Sequence, residues 1–200
     1  MKAALEDALS NSHSYSEYRK IVSDLLKKGK SSGKEQSEDL INYTNLNEAR
    51  MNRLEKTIKI PEENIAKLNS LKKEYIWLTL AEGWCADGAQ LLPVFNKMAS
   101  ESDKIESKIV FRDENEDLMN LFLTNKGKAI PKLIVIEKET GKICNDWGPR
   151  PAGAVDLIKD YKEKFGVVDA IAKADLQMWY FHDKGLSTQE ELINMMLDLE

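Results

Sequence analysis

The sequence has few cysteines and histidines and no long apolar run. Its 200 residues include two cysteines, two histidines and five prolines. Two cysteines are too few for a disulfide scaffold, and they fit a reducing compartment. No apolar stretch approaches the length of a membrane span, and the N-terminus acquires acidic residues before any apolar run could act as a signal peptide. We therefore expect a cytoplasmic protein with no membrane partner.

Neither sign of charge dominates the chain. The net charge is -5 with both signs interspersed, which gives no electrostatic reason to expect nucleic acid as a partner. The two histidines, His13 and His182, are far apart, and neither cysteine has metal-ligand spacing around it. We expect surface or capping roles for the histidines, and no metal or cofactor. The length suits one domain of ordinary size plus an appendage.

The central part of the chain alternates between strand and helix patterns. Tyr75 to Ala81 is an apolar, β-branched and aromatic run, and Ala86 to Ser100 has helical spacing. Lys132 to Ile136 and Lys142 to Asp146 flank a turn sequence that ends in Gly141, which predicts a hairpin. The other predicted elements are a strand over 108–112 and a helix over 116–124. This order predicts the α/β class, with a mixed central sheet flanked by helices.

Both ends of the chain have helical patterns. We predict an N-terminal helical extension over 1–60, an α/β domain over 61–165, and a C-terminal helical extension over 166–200 that packs on the domain. Lys27 to Gln36 is polar and is predicted to be an exposed, mobile connection. The helical region that follows it is predicted to break near Thr44.

A thiol lies where the first central strand meets its helix. Gly83 ends the strand, and Cys85 occupies the joint. Unpaired backbone N–H groups at a helix N-terminus favour a negative charge, so they stabilise a thiolate. Asp87 acts in the opposite direction, because its carboxylate opposes a second negative charge on Cys85. The position indicates a reactive thiol, with a buried structural cysteine as the alternative.

The residues around this thiol resemble a known family. Trp84-Cys85-Ala86-Asp87-Gly88 resembles the Trp-Cys-x-x-Cys segment of thioredoxins, and Pro93 lies where that family has its helix-kinking proline. Ala129-Ile130-Pro131 resembles the family's Ile-Pro segment, in which the proline is cis and faces the active-site cysteine. The chain thus resembles a bacterial thioredoxin-like protein with helical extensions at both ends. The resemblance implies a thioredoxin-like fold over roughly residues 70 to 165.

Two residues depart from the family's pattern. Gly88 replaces the second, resolving cysteine, and Thr79 occupies the place of the buried acid that assists proton transfer. Cys144 is not expected to act as the resolving cysteine. Two inter-strand steps of about 9–10 Å exceed the roughly 4.4–6.8 Å that separates the Cα atoms of a disulfide. We expect Cys144 to pack in its strand.

The resemblance implies a substrate site around Cys85, the expected catalytic residue. The expected members of this site are Trp84, Asp87, Gly88, Ile130, Pro131, Trp147 and Arg150. Arg150 follows the last strand and either holds a substrate carboxylate or forms an internal ion pair. Trp84 and Trp147 either line an apolar groove beside Cys85 or only pack.

Three functions fit these residues. The leading hypothesis is a monothiol redox protein, a thiol-disulfide oxidoreductase if it is an enzyme. It forms mixed disulfides through Cys85 with a protein thiol or with a low-molecular-weight thiol such as glutathione, and an external thiol releases the product. The second hypothesis is a non-catalytic peptide-binding module whose groove is formed by Trp84, Ile130, Pro131 and Trp147. The third is a peroxide sensor that passes through a sulfenic acid, which needs only one accessible thiolate.

Overall fold

The computed structural model describes all 200 residues as nine α-helices, four β-strands and one 3-10 turn. The helices are α1 (Lys2–Ser10), α2 (Tyr15–Lys27), α3 (Glu38–Thr57), α4 (Glu62–Asn69), α5 (Ala86–Ser100), α6 (Glu116–Met119), α7 (Ala152–Phe165), α8 (Ala170–Asp183) and α9 (Leu186–Leu197). The strands are β1 (Tyr75–Ala81), β2 (Ile105–Phe111), β3 (Lys132–Glu137) and β4 (Ile143–Trp147), and the 3-10 turn (Arg112–Glu114) follows β2.

The four strands form one mixed sheet in the order β2-β1-β3-β4. β1 pairs with β2 in parallel, whereas the β1–β3 and β3–β4 pairs are antiparallel. α5 makes the crossover connection that a parallel pair requires. This sheet confirms the predicted α/β class and the hairpin with Gly141 at its turn. β2 begins three residues earlier than predicted, because its polar first half still pairs with β1, and the predicted helix over 116–124 ends at Met119.

Alternating side chains of β1 enter two separate cores, one on each face of the sheet. Tyr75 and Trp77 belong to the larger core, which α2, α5 and α9 also form. Leu78 and Leu80 belong to the smaller core, which α1 and α6 cover. The sheet is therefore buried on both faces, as expected from the nearly continuous apolar run in β1.

The N-terminal helices differ most from the prediction. Within the predicted helical extension over 1–60, α1 is a separate short helix whose Leu5 and Ala8 enter the smaller core. The predicted break near Thr44 is wrong, because α3 is continuous there and the Thr44 hydroxyl donates to the carbonyl of Leu40 at 2.7 Å. Between α1 and α2, His13 exchanges two backbone hydrogen bonds of 2.8 Å with Ile109, and this bridge covers the outer edge of β2.

The C-terminal end of the chain reaches back to β1. The indole N–H of Trp77 donates to the sulfur of Met196 in α9 at 3.3 Å, and the Tyr75 hydroxyl donates to Glu200 at 2.9 Å. α9 also contacts α4 and α5, so it closes the larger core. None of the helices combines the length and the apolar character that a bilayer crossing requires.

Thr79, in the centre of β1, is fully buried, and its hydroxyl has no hydrogen-bond partner. A buried hydroxyl without a partner lowers stability, because it loses its bonds to water and gains none in return. We predict that Thr79→Val raises the free energy of unfolding by about 1 kcal/mol, measured by urea denaturation.

Thr44 provides the matched control for this substitution. It is equally buried, but its hydroxyl is hydrogen-bonded to Leu40 and Ser31. Thr44→Val should therefore lower the free energy of unfolding by roughly 1 kcal/mol. Destabilisation of similar size by both substitutions would show that the Thr79 hydroxyl is bonded after all.

Candidate functional site

Cys85 is the N-cap residue of α5, and its sulfur forms hydrogen bonds with two segments of the chain. The Sγ atom accepts the backbone N–H of Gly88 at 3.3 Å and donates its proton to the carbonyl of Ile130 at 3.3 Å. β1 leads into the turn that holds Cys85, and its antiparallel neighbour β3 begins directly after the Ile130–Pro131 segment. The sheet therefore fixes both segments. The side chain of Cys85 is largely enclosed, with 7% of the residue exposed.

The environment of Cys85 favours the protonated thiol. Burial first, and then the charge of the Asp87 carboxylate, raise the pKa of the Cys85 thiol to about 12. The backbone N–H groups of Gly88 and Asp87 and the charge of Arg150 lower this pKa, but by less. The helix N-terminus thus stabilises the thiolate, as expected. The pKa of Cys85 is nevertheless raised, because the cost of desolvating the thiolate is larger than this stabilisation. At neutral pH the sulfur keeps the proton that it donates to Ile130.

Asp87 is buried in the first turn of α5 and is fully paired. Its Oδ2 atom accepts from the Nε and Nη2 atoms of Arg150 at 2.9 and 2.8 Å, and its Oδ1 atom accepts from the Tyr180 hydroxyl at 2.9 Å. Of the two roles expected for Arg150, the structure therefore contains the internal ion pair. Burial and the charge of Asp87 hold the pKa of the Tyr180 hydroxyl well above its ordinary value, so this hydroxyl stays a donor.

Gly148 brings the segment after β4 next to the Ile130–Pro131 segment. A Cβ atom at position 148 would lie 2.4 Å from the carbonyl oxygen of Pro131, and the φ angle of Gly148 is 111°. Only glycine fits this close approach and this backbone conformation. The Ile130–Pro131 and Gly148–Pro149 peptide bonds are both cis. This approach allows Arg150 to reach Asp87.

Trp84 and Trp147 do not line one groove. Trp84 packs with the smaller core, and the guanidinium of Arg112 lies 4.9 Å from the centroid of its ring. Trp147 packs with the larger core on the other face, 5.7 Å from Phe95 in an edge-on arrangement, and its indole N–H donates to Glu191 at 2.9 Å. Of the two tryptophans, only Trp84 lies in the same core as Cys85.

A second buried carboxylate, Glu82, lies on the other side of the thiol in the sequence. It accepts the hydroxyl of Ser32 and the backbone N–H of Asp113, the latter at 3.0 Å. Ser32 in turn accepts the backbone N–H of Gly83 at 2.8 Å. Burial raises the pKa of Glu82 above its ordinary value, and the hydrogen bond from Ser32 offsets only part of this effect. The prediction that the connection over 27–36 is exposed is wrong at its centre, because Ser31 and Ser32 are buried.

The two cysteines do not lie together, and the structure shows no cluster of side chains that could bind a metal ion. Cys144 is a free thiol in β4 that packs against the larger core, whereas the free thiol of Cys85 belongs to the smaller core. The two faces of the sheet therefore separate the two cysteines. The structure contains no group of three or more His, Cys, Asp or Glu side chains arranged to hold a metal ion.

Sequence reasoning did not identify Tyr180, Glu82 or Ser32 as members of the site. Tyr180 is 93 residues from Asp87 in the chain, so no local pattern could pair them. For Glu82 a signal was available, because a charged residue directly after the fully apolar end of β1 has to find donors or water.

Comparison with known proteins agrees with this fold. The family model for thioredoxin matches residues 33–162. A crystal structure of an HIV epitope scaffold is similar with a TM-score of 0.56 and 18% identity, over 93% of this chain and 99% of the scaffold. A protein of unknown function from Pseudomonas aeruginosa is similar with a TM-score of 0.50 and 17% identity, over 94% of this chain and 95% of that protein. No curated protein matches the chain. The expected thioredoxin-like fold is confirmed.

The Asp87 charge gives a direct test of the electrostatics of the thiol. In a Cys144→Ser background, we predict that Asp87→Asn lowers the pKa of Cys85 and accelerates its alkylation by iodoacetamide at pH 8. The acceleration should be about tenfold, the effect of one pKa unit at a pH below the pKa. The measurement is the alkylation rate of the peptide that contains Cys85, followed by mass spectrometry.

Asp160→Asn is the control, because it removes an exposed carboxylate of α7. It should leave the alkylation rate unchanged. An unchanged rate in Asp87→Asn as well would mean that burial alone protects the thiol.

Proposed function

Because the chain belongs to the thioredoxin family, we propose that it is a monothiol redox protein that forms mixed disulfides through Cys85. The observation that carries the proposal is the position of the sulfur. It accepts an N–H at the first turn of α5 and lies against the segment that precedes β3.

The proposed reaction is one thiol–disulfide exchange. The Cys85 thiol loses its proton to solvent, and the thiolate attacks one sulfur of a disulfide R–S–S–R′. The Cys85–S–S–R bond forms, the R–S–S–R′ bond breaks, and R′–S⁻ leaves and takes up a proton. Cys85 is thereby oxidised and the leaving thiol is reduced. Position 88 is glycine, so release of R requires an external thiol.

The pKa of Cys85 makes this exchange slow in the resting protein. With the pKa raised to about 12, only a very small fraction of Cys85 is present as the thiolate at pH 7. The substrates proposed are protein disulfides or a low-molecular-weight disulfide such as that of glutathione. A partner that displaces the hydrogen bond between Cys85 and Ile130, or that separates Asp87 from the thiol, would accelerate the reaction. We retain the cytoplasm as the expected compartment on the basis of the cysteine content.

The enclosure of Cys85 favours a second candidate, the non-catalytic binding module. A thiol that is 7% exposed and protonated at neutral pH is the state expected of a packing residue. In this alternative the surface around Trp84, Ile130 and Pro131 binds a peptide. The peroxide sensor receives less support, because it requires an accessible thiolate in the resting protein.

Adduct formation with glutathione disulfide separates these candidates. For the monothiol protein, we predict a mixed disulfide on Cys85 whose rate of formation rises about tenfold per pH unit between pH 7 and pH 9, since the pKa lies well above this range. Intact-mass measurement should show the adduct in the wild type and in Cys144→Ser, and not in Cys85→Ser. An adduct on Cys144 would contradict the proposal, and absence of any adduct would support the binding module.

Gly88→Cys tests the role of the missing resolving thiol. A Cβ atom at position 88 would lie 3.6 Å from the Cys85 sulfur, which is ordinary van der Waals contact, so the backbone leaves room for a Cβ atom beside the thiol. We predict that the substitution raises the rate of insulin reduction, in the presence of an external reductant, by on the order of tenfold. Gly88→Ser adds a side chain of the same shape without the thiol and should leave the rate at the wild-type level. Equal rates in both variants would contradict a resolving role.

A further inference from the structure

The five arginines of the chain differ in their pairing. Arg19, Arg112 and Arg150 each form an ion pair with at least one carboxylate. Arg50 and Arg53, which are one turn apart on α3, form none, although the chain contains 34 acidic residues. The two arginines without a carboxylate are thus neighbours on one face of one helix.

Arg50 is half-buried, and the Asn47 side-chain oxygen, at 2.7 Å, is the single acceptor of its guanidinium. Burial and the charge of Arg53 lower the pKa of Arg50 below its ordinary value. Asp87 contributes a favourable charge, but its oxygens already accept from Arg150 and Tyr180. A desolvated cation beside another cation is unfavourable, and an additional anion would relieve this repulsion.

A pocket of about 210 Å³ lies next to these arginines, between α3 and α8. Its lining residues are Arg53, Leu54, Thr57, Ile58, Tyr180, Phe181 and Lys184. Arg53 and Lys184 provide two exposed cations without ion pairs, and the Arg53 guanidinium lies 5.4 Å from the centroid of the Phe181 ring. The pocket therefore combines a cationic rim with an apolar and aromatic wall.

We propose that this pocket binds a small organic carboxylate, with the carboxylate between Arg53 and Lys184 and its apolar body against Leu54 and Phe181. The planar guanidinium of Arg53 can donate two parallel hydrogen bonds to a carboxylate. The volume of 210 Å³ is below the roughly 300–1,000 Å³ of sites for drug-sized ligands, which limits the apolar body to one ring or a short branched chain.

The pocket is distinct from the thiol site but shares a wall with it. Tyr180 lines the pocket and also donates its hydroxyl to Asp87. A ligand in the pocket would therefore contact this tyrosine. Because binding does not involve the sulfur, it can be measured whether or not Cys85 forms mixed disulfides.

The test is a titration of the ¹⁵N-labelled full chain with phenylacetate, benzoate and 3-methylbutanoate, followed by NMR. At least one of these carboxylates should shift the backbone amide signals of Thr57, Phe181 and Lys184 at millimolar concentration. The neutral analogue of phenylacetate, 2-phenylethanol, should bind about tenfold more weakly. No shift of these signals with any of the three carboxylates, or equal affinity for the neutral analogue, would overturn the proposal.

Two substitutions test the cationic rim. Arg53→Gln and Lys184→Asn should each weaken binding of the carboxylate about tenfold. Asparagine suits position 184, because Lys184 has a φ angle of 56°. Lys56→Gln is the matched control, since Lys56 is an exposed cation of α3 outside the pocket, and its affinity should equal that of the wild type. Wild-type affinity in both rim variants would exclude this pocket as the site.

Discussion

The carboxylate of Asp87 is buried in the first turn of α5, and a buried charge is tolerated only when it is paired and hydrogen-bonded. Its two partners come from distant parts of the chain. Arg150 follows β4, where Gly148 passes close to Pro131, and Tyr180 belongs to α8. The start of α5, the end of the sheet and the C-terminal helices therefore have to be in place together. The pairing of this one charge therefore makes the thiol site depend on the correct packing of distant elements.

The same charge also determines the chemistry of the thiol. The helix N-terminus and Arg150 favour a thiolate on Cys85, whereas burial and Asp87 oppose it. Burial is the largest effect, and Asp87 adds to it, so the neutral thiol dominates. The pairing of Asp87 with Arg150 leaves that cation less available to the sulfur. The arrangement that holds this buried carboxylate therefore lowers the fraction of Cys85 that is present as the reactive thiolate.

The sequence predicted the parts of the molecule that local patterns encode. The run Tyr75–Ala81, the helix after Cys85 and the hairpin at Gly141 each have a period or a turn residue that permits few alternatives. The raised pKa of Cys85 could not be predicted from the sequence. It depends on the burial of the sulfur, and distant parts of the chain determine that burial. The contact of Tyr180 with Asp87 and that of Ser32 with Glu82 span 93 and 50 residues, respectively. Contacts between residues so far apart do not produce a local pattern in the sequence.

The two terminal regions each complete one side of the thiol site. Glu82, three residues before Cys85, receives a hydrogen bond from Ser32 in the N-terminal region, and Asp87, two residues after it, receives one from Tyr180 in the C-terminal region. Each carboxylate would lose a hydrogen-bond donor if its terminal region were absent. Because both carboxylates are buried, this loss would be unfavourable. The predicted boundaries at residues 60 and 165 describe the pattern of helices and strands, but hydrogen bonds to buried charges cross both of them. The segment 82–87 therefore depends on both terminal regions for its conformation.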